Sequence, residues 1–363
     1  MSRKAKHFIL SMDGGGIRGI IPLRILEALD GRLRRAGVTR PLHQIFSLIC
    51  GTSASGLVAA ALAAPRNGGA GGEAAGTLSD LRHFFEVEAR ELFTYSFSKR
   101  LGRFVTNPLG LFDERYDARP LERMLKDRFG WTSMASALTH VMLPAYDIER
   151  RNLVMMSSAP GADGARPDDY YFWEAVRASM AEPSFFEPAR IDNLTRGCNE
   201  AMISGSAILG NPSMAAYAQA RRMGWATEDI VMISLGTGHA SGRAFEFGPA
   251  CRWGALGWML PSNGAPLLSV LQDGHAAAAA GLAEQVFADL DGPAYYRFDG
   301  ELPPEAEEMD NGRPGNLILL NGAADRIIRD QTLMLDELAA LIAASCEEAE
   351  EAGTSAGKER EAA

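Results

Sequence analysis

The chain has 363 residues, 47% of them hydrophobic, with a formal net charge of −10. That is long enough for one large α/β domain or two ordinary ones, and the acidic balance excludes the basic footprint of a nucleic-acid binder and general docking on anionic membranes. The four cysteines (Cys50, Cys198, Cys251 and Cys346) are dispersed without a CxxC pair, and the six histidines have no metal-ligand spacing. This argues for reduced thiols in a cytoplasmic protein without a disulfide framework or a zinc site. The basic start MSRKAKHFILSM reads as a first strand rather than a secretion signal, and no run approaches the ~20 apolar residues of a membrane span.

Residues 7–12 (HFILSM) form an apolar run suited to a buried strand, which breaks into Asp13-Gly14-Gly15-Gly16-Ile17-Arg18-Gly19. A helix follows over 20–36, with Pro22 tolerated in its first turn and Leu23, Ile25, Leu26, Leu29 and Leu33 facing inward. Gly14, Gly16 and Gly19 spell a dinucleotide fingerprint, which also expects an acidic residue ending a second strand about 20 residues on. Three consecutive glycines can turn several backbone N–H groups into one concavity, which suits any oxyanion. The second strand ends instead in Cys50-Gly51-Thr52-Ser53, and LVAAALAA follows as helix. Strand, sharp turn, helix: a serine at such a corner is held out at the end of a buried strand with helix amides pointing toward it. Residues 45–57 therefore read as a nucleophile elbow, G-x-S-x-G in outline, with Ser55 where the second glycine belongs and Gly56 one place later.

Residues 64–77 are glycine- and alanine-rich and read as a flexible surface loop. An amphipathic helix follows over 78–93, and the segment 95–112 mixes apolar and basic residues, as either a surface loop or an active-site cover. Residues 119–129 form a short helix. Residues 140–147 and 153–157 pair as two strands across a charged turn. Residues 172–188 give a helix stopped at Pro183, with Phe185 and Phe186 read as core. Residues 199–203 lead into Ser204-Gly205-Ser206, Asn211-Pro212 caps a helix over 213–223, and residues 230–234 form a buried strand ending in Gly236-Thr237-Gly238. The two tryptophans of 253–260 (WGALGWML) read as core, with a lipid-interface role as the second reading. Residues 265–290 are alanine-rich helix, 295–298 an edge strand and 321–345 a final amphipathic helix. The acidic stretch 347–363 reads as a disordered tail. One domain over residues 7–345 is expected, its motifs gathered in about 8–240.

In this order the motifs FILSMDGGGIRGIIP, ICGTSASGL, RASMAEPSFFEP, ISGSAILGNP and ISLGTG resemble those of the patatin-like phospholipase family. The resemblance implies a three-layer α/β/α fold with a mostly parallel sheet. It also implies a lipid acyl hydrolase with a Ser–Asp dyad and neither metal nor nucleotide cofactor, touching lipid esters and, transiently, a membrane surface. Carried over by residue, Ser53 is the implied nucleophile, the N–H groups of Gly14, Gly15 and Gly16 the oxyanion hole, and Arg18 a support of that loop. The family's third motif begins with Asp, and here that position is Ser204. A neutral hydroxyl has no useful basicity near pH 7. A lipid- or protein-binding pseudoenzyme therefore stands beside the hydrolase, and an acyltransferase using the same acyl-enzyme is a third reading. Asp147, Asp192 and His239 are the substitutes considered for the missing base. Of these His239 follows the Gly236-Thr237-Gly238 turn, at a strand's carboxyl end, where α/β active sites gather.

Overall fold

The computed structural model describes residues 6–69, 72–89, 92, 116–183, 185–240, 245–259, 266–290 and 294–361. The strands are β1 (His7–Met12), β2 (Phe46–Gly51), β3 (His140–Asp147), β4 (Asn152–Ser157), β5 (Ala189–Asn193), β6 (Cys198–Ser204), β7 (Ile230–Leu235), β8 (His239–Ala240), β9 (Tyr295–Phe298) and β10 (Glu301–Leu302). The main sheet runs β5-β6-β3-β2-β1-β7-β9, with β4 hairpinned antiparallel onto β3. The pairs β1–β2, β1–β7, β2–β3 and β7–β9 are parallel. Strands β5 and β6 close one end antiparallel, and β9 is the edge strand expected at the other.

Phe8, Leu10 and Met12 pack into one core while Ile9 packs into a second, on the opposite face. The same division separates Phe46 and Ile49 from Leu48 and Cys50 on β2. A strand covered on both faces needs apolar residues at every position, which is why these segments show no alternation in sequence. The covering helices are α1 (Ile20–Arg35), α2 (Ala54–Ala63), α3 (Ala118–Phe129), α4 (Phe172–Ser179), α5 (Ser213–Arg222), α6 (Pro266–Ala288), α7 (Pro314–Asp330) and α8 (Thr332–Glu361). Leu26, Leu57, Val176, Leu320 and Leu335 carry α1, α2, α4, α7 and α8 into the first core; Ala216, Ala220 and Phe287 carry α5 and α6 into the second. The result is a three-layer α/β/α fold around a mostly parallel sheet. Every residue of α2 is buried, so its alanines and glycine are the residues that let a helix thread between sheet and neighbours.

Three expectations change. The helix expected over 321–345 is two, broken at Gln331, whose amide donates to the Asp299 carbonyl at 2.8 Å. The stretch expected as a disordered tail continues α8 through Glu361, because glutamate and alanine propagate a helix once Leu335, Leu338 and Ile342 have anchored its start. Trp258 and Met259 are exposed rather than core; Trp253 and Trp258 cover each other edge-to-face at 5.3 Å instead. The segment 95–112, considered as a cover, lies outside the described residues.

Candidate functional site

The parallel strands β1, β2 and β7 bring Asp13, Ser53 and Thr237 to one edge of the sheet, at their carboxyl ends. Ser53 sits between β2 and α2 with φ 57° and ψ −125°, a conformation that costs a non-glycine residue ~1–3 kcal/mol. Its N–H donates to Ser179 Oγ at 3.0 Å and the residue is 8% exposed. The turn is tight because of Gly51: a Cβ there would stand 2.2 Å from the Ser55 carbonyl oxygen. Close approach of strand and helix thus depends on Gly51. Ser55 is no obstruction to it; fully buried, its hydroxyl donates to the Asp13 carbonyl at 2.7 Å and ties the elbow to the glycine loop.

The glycine loop is held from several sides. Gly14 N–H donates to the Gly210 carbonyl at 2.8 Å, Ile17 N–H to the Met309 carbonyl at 2.8 Å, and Arg18 N–H to the Gly15 carbonyl at 3.1 Å. Thr237 Oγ1 donates to the Gly14 carbonyl at 2.9 Å. The N–H groups of Gly15 and Gly16 make no such bond among the described residues. Gly14 N–H is thus engaged within the fold, while those of Gly15 and Gly16 are left unbonded at the loop among the described residues. Gly16 lies at φ +57°, and a Cβ there would meet the Met309 carbonyl oxygen at 2.2 Å, so no other residue fits. Arg18 does not brace the loop by a side-chain hydrogen bond; its buried guanidinium faces Asp273, Asp299, Glu307 and Asp13, and its Nε has no partner.

What braces the loop instead is Arg297 from β9. Its guanidinium donates to both Asp13 carboxylate oxygens (3.0 and 2.6 Å), to Ser234 Oγ (2.8 Å) and to Asp299 (2.5 Å). Burial pushes the Asp13 carboxyl up to about 6 against the pull of Arg297. Burial would raise Asp299 as well, but the neighbouring His239 imidazole, the Arg297 charge and the hydrogen bond from the Gly300 N–H hold it down at about 2. That carboxylate in turn raises the imidazole pKa of His239, whose side chain is 57% exposed with Nδ1 3.9 Å from Asp299.

At the third motif, Ser204 is buried and its hydroxyl accepts from the Ser206 N–H at 3.2 Å. Beside it stands a carboxylate that sequence reasoning passed over. Glu182, 6% exposed, accepts a short hydrogen bond from Ser206 Oγ and one from Gln272 Nε2 at 3.2 Å. Burial raises the Glu182 pKa, against the opposing effect of the two serine hydroxyls.

These groups surround a cavity of about 410 Å³. Ser53, Gly15, Gly16, Glu182, Ser206 and His239 line its polar part. Phe84, Phe85, Leu92, Met180, Phe185 and Phe186 form an apolar wall, and Ala276, Ala277 and Ala280 of α6 form another. Phe185 and Phe186 thus serve the cavity as well as the core. Of the substitutes considered for the base, only His239 reaches the cavity. Asp147 caps its own turn by accepting from the Glu149 and Arg150 N–H groups, and Asp192 lies on edge strand β5 against Asn199. Arg297 and Asp299 were missed because no motif spacing ties them to the elbow; Glu182 lies inside RASMAEPSFFEP, but its contact with Ser206 is made only by the fold. Among the described residues no group of His, Cys, Asp and Glu could hold a metal, and no helix is long and apolar enough to cross a membrane.

The model of the patatin-like phospholipase family matches residues 10–217, which run from β1 through the elbow to α5. The chain belongs to the patatin-like phospholipase family. Patatin-like protein 2 of Arabidopsis thaliana is 28% identical over 343 residues, covering 88% of this chain and 82% of its own length. Patatin-like protein 1 of Oryza sativa subsp. indica is also 28% identical, over 88% of this chain and 80% of its own. Patatin-15 of Solanum tuberosum is 29% identical over 273 residues, 69% of this chain and 66% of its own. Among solved structures, VipD from Legionella pneumophila aligns over 90% of this chain and 68% of its own, at 13% identity and a TM-score of 0.34. Membership places this patatin-like chain among lipid acyl hydrolases.

Proposed function

We propose that the chain cleaves carboxylic esters of lipids through an acyl-enzyme on Ser53, in the cytoplasm and without metal or nucleotide cofactor. The observation that carries this reading is the strained backbone of Ser53 at a strand–helix corner opening into an apolar cavity. Backbone strain is kept where the surroundings over-determine it, and it concentrates at sites of function. An acyl chain fits the aromatic and alanine walls, its carbonyl lying between Ser53 Oγ and the free Gly15 and Gly16 N–H groups. As the tetrahedral intermediate forms, charge grows on the carbonyl oxygen, and donors fixed in a dry site stabilise it without reorganising. Losing one such donor typically costs ~10²–10³ in turnover. The exposed Phe247, Trp258 and Met259 support transient contact with a lipid surface.

The second reading, a lipid-binding pseudoenzyme, is favoured by one observation: Ser204 supplies a hydroxyl where the family has a carboxylate. Turnover of a short-chain fluorogenic ester and of mixed phospholipid vesicles by the native chain and by Ser53→Ala separates the two. Hydrolysis lost in Ser53→Ala is the expected result. Lipid binding without turnover, unchanged by the substitution, supports the pseudoenzyme.

A further inference from the structure

With Ser53 taken as nucleophile, the question the third motif leaves open is what accepts its proton. The segment 179–182 is pinned to both motifs. Ser179 Oγ receives the Ser53 N–H at 3.0 Å, and the Ala181 carbonyl receives the Ser204 N–H at 2.8 Å. Glu182, one residue beyond Ala181, lines the cavity between these two anchors, its carboxylate accepting from the Ser206 hydroxyl and the Gln272 amide. We infer that Glu182 is the general base of this enzyme: the carboxylate absent from position 204 is supplied from the loop after α4 and delivered to the same corner of the cavity.

The surroundings support this assignment over a structural one. Ser206 holds Oε2 and Gln272 holds Oε1, which orients the group and leaves lone pairs on both oxygens. No Lys or Arg lies within ion-pair distance among the described residues, and no charge acts on it from β6, the 206–209 turn or α6; its neighbours are Ser204, Ser206 and Gln272. A buried carboxylate without a cation is expensive to keep, and folding gives no reason to keep one. Burial moves its proton affinity in the direction a base working near neutral pH requires. His239, the imidazole at the cavity, is mostly solvated, its side chain 57% exposed. Its side-chain partner is Asp299, beyond Thr237, and no hydrogen bond links it to the elbow.

The chemistry then balances on residues in place. Ser53 Oγ bonds to the acyl carbon as its proton passes to Glu182, and the carbonyl π pair moves onto oxygen under the Gly15 and Gly16 N–H groups. Collapse of this oxyanion restores the C=O and breaks the ester C–O bond, and the departing alkoxide takes the proton from Glu182. Water attacks the acyl-Ser53 in the same way, giving its proton to Glu182. Collapse returns that proton to Ser53 Oγ and releases the carboxylic acid.

The test is ester turnover against pH for the native chain and for Glu182→Gln, Glu182→Asp, His239→Gln and Ser53→Ala, with the denaturant midpoint of each. Glu182→Gln is expected to lose about 10³-fold or more in kcat, with KM within about threefold, and with a midpoint equal to or above that of the native chain. Glu182→Asp is expected to retain far more activity than Glu182→Gln, and the native chain is expected to show an acid limb above the ordinary glutamate value of 4.5. His239→Gln is expected to stay within about tenfold. Full activity in Glu182→Gln beside a dead Ser53→Ala overturns Glu182 as base while leaving Ser53 as nucleophile. So does loss confined to His239→Gln. A lowered midpoint with equal losses in Glu182→Gln and Glu182→Asp assigns Glu182 a structural role and overturns it too. Turnover unaffected by Ser53→Ala removes the hydrolase reading itself.

Discussion

Ser53 stores the strain on which the site depends. Glycine tolerates φ 57° and ψ −125°, whereas serine holds them only because Gly51, Ser179 and α2 leave no alternative. Replacing it therefore separates stability from activity. Ser53→Gly is expected to raise the unfolding free energy by about 1 kcal/mol, seen as a higher denaturant midpoint, while abolishing ester turnover. A lower midpoint would show that the elbow is relaxed. The elbow and the glycine loop were legible in sequence because their geometry is local: an apolar run, a forced turn and adjacent small residues. Glu182, Arg297 and Asp299 were not. Arg297 meets Asp13 across 284 residues of chain, and nothing in YYRFD announces that partner. The chemistry of Glu182 was obscured differently: it sits inside a recognised motif, RASMAEP, where its neighbours drew the attention and its own orientation depends on a fold contact with Ser206.

Among the elements, the strands were readable because two-sided burial imposes continuous apolar runs, and β9 at the sheet edge followed from its mixed YYRF composition. The chain's end was not, since high charge with few large apolar residues describes a disordered tail and an exposed helix equally well. Helix α8 buries Leu335, Leu338 and Ile342 near its start, while residues 347–351 are exposed. One tie of that later part to the body is the Arg40–Glu350 ion pair, with the Glu350 side chain 65% exposed. Exposed pairs of this kind contribute ~0–1 kcal/mol. A chain ending after Cys346 is therefore expected to unfold within about 1 kcal/mol of the full chain. One ending after Gln331 forfeits the buried Ala339 and Ala343 and three large core side chains, Leu335, Leu338 and Ile342, the large ones at roughly 1.5–3 kcal/mol each, and is expected to lose cooperative unfolding. Equal stability of the two truncations, read by chemical denaturation, would show that α8 does not hold the first core.

At the scale of the whole molecule, the sheet does one thing for the chemistry. Three parallel strands of different sequence position end together, so a glycine loop, an elbow and a threonine turn face a single apolar cavity. The cavity carries more acids than bases: Asp13, Glu182, Asp273 and Asp299 stand against Arg18 and Arg297. In a chain of net charge −10 that distribution steers away anionic ligands and leaves apolar contact to hold an ester. All of this converges on Ser53 as the group that becomes acylated. The most direct measurement is covalent trapping with an alkyl fluorophosphonate, followed by intact mass and peptide mapping of the native chain and of Ser53→Ala. One adduct per native chain, on the peptide carrying Ser53 and absent from Ser53→Ala, is the predicted result. No adduct on the native chain, or one that persists in Ser53→Ala, would contradict it.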